Sequence, residues 1–187
     1  MNKTLMLLVA STVLLALLAG CINKPEVIDQ ISFEQAIIKD AQAKYPTADI
    51  IEIESREQVG DTNITCVRVT FNYTSVCPVR MRLKYKYPDY GYETGVTSYI
   101  VRDCTYKCQG NCIITGEEEA IIAAHTLAGS EDVKRFIGDG TGITAKAQKA
   151  GEDWAVQFTN AEGQSVSVTV RARDPAIISV RLPEPSE

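Results

Sequence analysis

The chain has 187 residues, 19 basic and 24 acidic, with a single histidine and a formal net charge of −5. A hydrophobic share of 45% against 23% charged is that of an ordinary globular protein and excludes a disordered or low-complexity one. The acidic balance gives no electrostatic footprint for nucleic acid as a partner.

In chain order, residues 1–21 read MNKTLMLLVASTVLLALLAGC. Lys3 supplies a positive start, and the apolar run from Leu5 to Leu18 is broken only by Ser11 and Thr12. A membrane span needs ~20 apolar residues, so the run fits a secretory leader better than a span. Leu18-Ala19-Gly20-Cys21 resembles the lipobox of prokaryotic lipoproteins. The resemblance implies cleavage behind Gly20 and a diacylglycerol on the Cys21 thiol. It also implies residence at the cell membrane, lipid-anchored and facing the extracytoplasmic side. Each buried CH2 contributes ~0.8 kcal/mol, so two or more lipid chains hold where one is reversible. An uncleaved anchor with a chance cysteine is the alternative. Loss of residues 1–20 removes Lys3 and leaves 18 basic against 24 acidic residues, and Ile22 rather than Asp follows Cys21.

Residues 21–30 read as a lipidated tether. The first helix signal is SFEQAIIKDAQAKYP, with Ser32 as cap, Gln35 as its capping-box partner and Pro46 as the stop. Phe33, Ile37 and Ala41 form one stripe, with Ile38 and Tyr45 beside it. Strands are predicted over 49–57, 63–73 and 78–87. In the last, Val79, Met81, Leu83, Tyr85 and Tyr87 alternate with Arg80, Arg82, Lys84 and Lys86. The loop PDYGYETG leads to a strand near 96–102.

A second unit opens at TGEEEAIIAAHTLAGSEDVKRFIG. Thr115 and Glu118 read as its capping box, Gly129 as a helix end and Ser130 as the start of a short helix to Ile137. Strands follow at 143–150, 153–160, 164–173 and 176–182, with AEG (161–163) as a hairpin turn. EQAII (34–38) recurs as EEAII (118–122), a faint internal repeat.

The expectation is an α+β fold with helices packed on antiparallel sheet, in two helix-plus-strands units in tandem (31–113 and 114–187). From about 116 to 182, the helix, W-x-V-x-F, a glycine turn, V-x-V-x-V and I-S-V resemble PepSY-type modules. That resemblance implies a helix laid on an antiparallel sheet and an association with envelope proteases. No functional residue carries over from it.

Behind Cys21 stand Cys66, Cys77, Cys104, Cys108 and Cys112, an odd set in a compartment that favours disulfides. If strands 78–87 and 96–102 pair, position 77 falls opposite about 104–106, and Cys77–Cys104 is the easiest bridge. Cys66 needs Cys108 or Cys112 folded back over it. The metal alternative is a zinc site of Cys104, Cys108 and Cys112 with His125. Its C-x3-C-x3-C spacing lacks two separated pairs, and the single histidine of AIIAAHTLAG reads more simply as a packed side chain.

No Ser-His-Asp setting, H-E-x-x-H, P-loop or G-x-G-x-x-G occurs, and GDGTGITA (138–145) reads as a turn. Glu117, Glu118 and Glu119 complement a helix dipole. Asn63 and Asn72 stand in N-x-T sequons and are glycosylation candidates.

Thr62 to Pro88 holds no acidic residue. Arg68, Arg80, Arg82, Lys84 and Lys86 share the outward phase of two strands and form a candidate binding surface with Tyr90 and Tyr92. Anionic lipid, an envelope polymer or an acidic protein would fit it. The alternative is a solvated face, or one covered by acidic residues such as Glu117–119.

The expected function is non-enzymatic: a lipid-anchored extracytoplasmic protein with a disulfide-braced binding domain and no cofactor. A metal or redox protein using the cysteine cluster is the alternative, and regulation of an envelope protease, by analogy to PepSY modules, is a third.

Overall fold

The computed structural model describes residues 29–87, 91–108 and 112–183. The leader, Cys21 and the tether up to residue 28 lie outside the described residues, as does Tyr90. Helix α1 (Gln30–Lys44) precedes strands β1 (Ile50–Val59), β2 (Thr62–Phe71), β3 (Val79–Tyr87), β4 (Glu93–Thr94) and β5 (Ser98–Val101). Helices α2 (Glu117–Thr126) and α3 (Glu131–Ile137) then lead into β6 (Thr144–Ala150), β7 (Asp153–Thr159), β8 (Ser165–Val170) and β9 (Ile177–Arg181). Both sheets are antiparallel: β1-β2-β3-β4 with β5 also on β3, and β6-β7-β8-β9. The fold is α+β, as the order of elements predicts.

Helix α1 starts two residues before Ser32. The Asp29 carboxylate accepts from Ser32 N at 2.9 Å and is the cap in place of Ser32. The stripe Phe33, Ile37 and Ala41 is buried against Val67, Val69, Met81, Leu83 and Tyr85 of the first sheet. Two-residue alternation puts those five on one face of β2 and β3, and the cations on the other.

Strand β1 changes face midway. Its register on β2 runs Glu52 opposite Arg68 and Ile53 opposite Val67, then shifts so that Ser55 faces Cys66. This bulge inserts one residue and reverses the alternation. Glu52 before it and the inserted Glu54 reach the cationic face; after it, Arg56 reaches Glu34 of α1, with Nε–Oε1 at 2.6 Å.

In the second unit, Trp154, Val156, Phe158, Val166, Val168 and Val170 pack on Ile121, Ala124 and Val133 of the two helices. Helix α2 is capped one residue later than the sequence suggests. Gly116 is the N-cap, and the Glu119 carboxylate accepts from Gly116 N at 3.0 Å and Thr115 N at 2.9 Å. Glu118, expected in that role, is engaged elsewhere. Among the described residues no helix is long and apolar enough to cross a membrane.

Candidate functional site

The two units meet along a seam of buried charge. Glu118 sits in the first turn of α2 with a side chain fully excluded from solvent. Its Oε1 accepts from Arg68 Nε at 2.9 Å, Arg68 Nη2 at 2.5 Å and Thr70 Oγ1 at 2.6 Å. Arg68 also donates to Glu52 at 2.8 Å. Arg80, itself buried, pairs with Glu54, which takes two further bonds from Arg82 at 2.6 and 2.7 Å. Those bonds from Arg82, reinforced by the charge of Arg80, hold the Glu54 carboxyl below the ordinary carboxylate range. Arg80 Nη1 lies 3.8 Å from Glu118 Oε2 and 3.6 Å from Glu119 Oε2.

The predicted cationic surface is therefore divided. Arg68, Arg80 and Arg82 face carboxylates of β1 and α2 and are internal pairs rather than an open basic patch. A lone buried guanidinium is costly, and the three glutamates at the start of α2 complete the pairing from across the seam. Lys84 and Lys86 remain exposed. Tyr92 is exposed, and its ring lies beside the first core, with centroid distances of 5.7 Å to Tyr85 and 6.4 Å to Phe33. Asn63 and Asn72 are both exposed.

Two phenols carry the seam and core into the alkaline range. Tyr73 donates to Glu117, and this bond, with burial and the Glu117 charge, pushes its pKa up to about 12. Burial, then the bond to Asp40 at 2.7 Å, pushes Tyr85 up as well. Each folded phenol holds its proton above the ordinary value of about 10, where the unfolded chain releases it. Their contribution is fully present below pH 10 and is lost as pH rises through the folded values. A titration of absorbance at 295 nm should show Tyr73 and Tyr85 ionising only as the protein unfolds. Eight tyrosines titrating together near pH 10 with the fold intact would contradict this.

The cysteines pair as Cys77–Cys104, with Cα atoms 5.1 Å apart, and Cys108–Cys112, at 5.6 Å. The first is the bridge expected from pairing β3 with β5. Cys66 is a free, buried thiol on the cationic face of β2, not bridged to Cys108 or Cys112. The C-x3-C-x3-C triplet is split between the two disulfides, so the zinc set Cys104, Cys108, Cys112 and His125 is not assembled. His125 instead lies against Cys104, Nε2 to Sγ 3.5 Å, with Nδ1 2.8 Å from the Ile121 carbonyl oxygen. Burial pushes its pKa down, so the imidazole is neutral at pH 7.

A groove of about 370 Å3 opens at the N-terminal end of α1, lined by Gln30, Phe33, Arg56, Gln58, Asn63 and Tyr87 among others. It joins two aromatic rings to amides, one guanidinium and the Glu57 carboxylate, a polar and aromatic mixture suited to holding a ligand. Sequence reading missed it, because it forms where α1 and the β1–β2 hairpin meet, and no local motif encodes that junction. Compared with protein-family models, curated proteins and solved structures, the chain matches none of them.

Proposed function

We propose that this chain is an exported, lipid-anchored binding module of the cell envelope, without catalytic activity, whose ligand enters the groove at the start of α1. The observation that carries the reading is the position of that groove. Gln30 in its lining follows Asp29, and eight Cα–Cα steps separate Asp29 from Cys21, so a lipid on Cys21 keeps the groove within roughly 29 Å of the bilayer. The leader and lipobox support export and anchoring, and two disulfides suit an oxidising compartment. The seam's carboxylates and guanidiniums are engaged mainly with one another as ion pairs, which supports a bracing rather than a catalytic role for them, although Arg80 Nε and Nη1 and Glu118 Oε2 make no hydrogen bond.

The test uses the protein made in a prokaryotic host. Native chain should partition into detergent-soluble membrane and carry a diacylglycerol-sized mass on Cys21, while Cys21→Ser should be released. Released protein should cosediment with envelope fragments. Arg56→Ser, Gln58→Ala and Asn63→Ala together should cut that cosedimentation about tenfold, equivalent to about 1.4 kcal/mol. Unchanged partition of Cys21→Ser overturns the anchor; undiminished cosedimentation of the triple variant overturns the groove.

A further inference from the structure

The cluster of Cys77, Cys104 and His125 lies where the first sheet, the loop after β5 and helix α2 converge. The Cys77 and Cys104 sulfurs and one ring nitrogen of His125 all lie within 4.8 Å of one another. The histidine fixes the chemistry. A carbonyl oxygen only accepts, so Nδ1 carries the proton donated to Ile121, and Nε2 presents its lone pair toward Cys104 Sγ. His125 is 8% exposed, and a disulfide sulfur has no hydrogen to give. In the disulfide form this buried acceptor therefore faces a sulfur that cannot donate to it.

We propose that reduction of Cys77–Cys104 opens a Zn2+ site formed by the two thiolates and His125 Nε2. Reduction by a dithiol passes two electrons and two protons to the sulfurs, while the dithiol closes its own disulfide. Zn2+ then displaces the two thiol protons to solvent and accepts three donors, leaving a fourth position for water. Tetrahedral zinc with Zn–S near 2.3 Å and Zn–N near 2.0 Å sets its S···N edge at about 3.5 Å and its S···S edge at about 3.8 Å. The first edge is already present at 3.5 Å. The second requires the sulfurs to separate, and Cys104 is solvent-exposed with room to turn. The Nδ1–H bond to Ile121 is the outer contact that orients a ligating imidazole and fixes its tautomer.

The site and the disulfide exclude each other, so metal occupancy reads the redox state. Residues 77 and 104 stay joined in both forms. Only the metal form also ties them to α2, which carries Glu118 across the seam.

The test is titration of the full-length protein in detergent with Co2+ as a spectroscopic substitute for Zn2+, after anaerobic reduction with a phosphine. A Cys108→Ser, Cys112→Ser background removes the neighbouring thiols, and circular dichroism checks that each variant is folded. One Co2+ per chain should bind with tetrahedral visible bands and a thiolate charge-transfer band, and Zn2+ should displace it. Unreduced protein should take up none. Losing an outer contact to a ligand costs ~10–100-fold in affinity, so His125→Phe should lose ~100-fold or more. Cys104→Ser, at an exposed position, should lose as much and serves where His125→Phe does not fold. No Co2+ uptake by the reduced protein overturns the proposal, as does undiminished uptake by folded His125→Phe or Cys104→Ser. None of these outcomes depends on what occupies the groove beside α1.

Discussion

Replacing Glu118 by alanine should destabilise the folded chain by about 3–5 kcal/mol, the cost of breaking a buried ion pair from one side. At about 2–4 °C per kcal/mol for a chain of this size, the thermal midpoint should fall by roughly 6–20 °C. The cause is what remains rather than what is removed. Oε1 of Glu118 takes three hydrogen bonds, from Arg68 and Thr70, and its charge neutralises guanidiniums that sit 15% and 5% exposed at Arg68 and Arg80. Water cannot re-enter freely, because Gly116 lies so close that a Cβ there would overlap Arg80 Nη1. Glu52 is the control: it binds the same arginine from a half-exposed position, and Glu52→Ala should cost no more than about 1 kcal/mol. Arg68→Met combined with Glu118→Leu should be more stable than either single change, since apolar replacement of both partners avoids the stranded charge. Differential scanning calorimetry on the five variants decides it. A midpoint for Glu118→Ala within about 2 °C of the parent would mean that the seam is not closed in solution.

The division between legible and illegible parts of this protein follows the range of the interactions. Helix α1 and strands β2 and β3 announce themselves because each buries one face, and burial imposes periods of 3.6 and 2 on the residues that face it. The Cys77–Cys104 pair was readable for the same reason: the pairing of β3 with β5 fixes the register. The bulge at Glu54 was not, because alternation of Ile51, Glu52, Ile53 and Glu54 looks uninterrupted, and the inserted residue shows only in the pairing with β2. The cap of α2 was missed by one residue for a tertiary reason. Glu118 and Glu119 are locally equivalent as helix-start acids, and only the approach of Arg68 decides which is drawn across the seam. The fate of Arg68, Arg80 and Arg82 is likewise non-local. Their strand phase was evident, but an open patch and one covered by Glu117–119 have the same sequence, and only the docking of the second unit separates them.

Removing the two disulfides one at a time should give unequal losses, and the inequality tests the origin of their effect. In the loop-entropy account, a bridge stabilises by restricting the unfolded chain. Cys77–Cys104 closes 27 residues and Cys108–Cys112 closes 4. The corresponding contributions are about 3.5 and about 2 kcal/mol. Cys77→Ser with Cys104→Ser should therefore cost about 1.5 kcal/mol more than Cys108→Ser with Cys112→Ser in urea denaturation, with both slopes steeper than the parent's as the freed unfolded chains expose more surface. The longer bridge also has a local role. It fixes the loop after β5 to the segment before β3, and that loop lies beside α2, where Tyr106 N donates to Thr126 Oγ1 at 3.1 Å and His125 packs edge-on to Phe158. If that role dominates, the excess should grow beyond the entropic difference, and the near-ultraviolet signal of the native state should change with it. A larger loss from the short bridge would contradict both accounts. It would move the structural weight to Cys112, whose carbonyl accepts from Asp174 N at 2.9 Å beside the bridge between Ile113 and Arg173. Reduction of the parent with a phosphine should reproduce the sum of the two losses. Zn2+ should then restore part of the Cys77–Cys104 share and none of the other, because only the first pair has a histidine beside it.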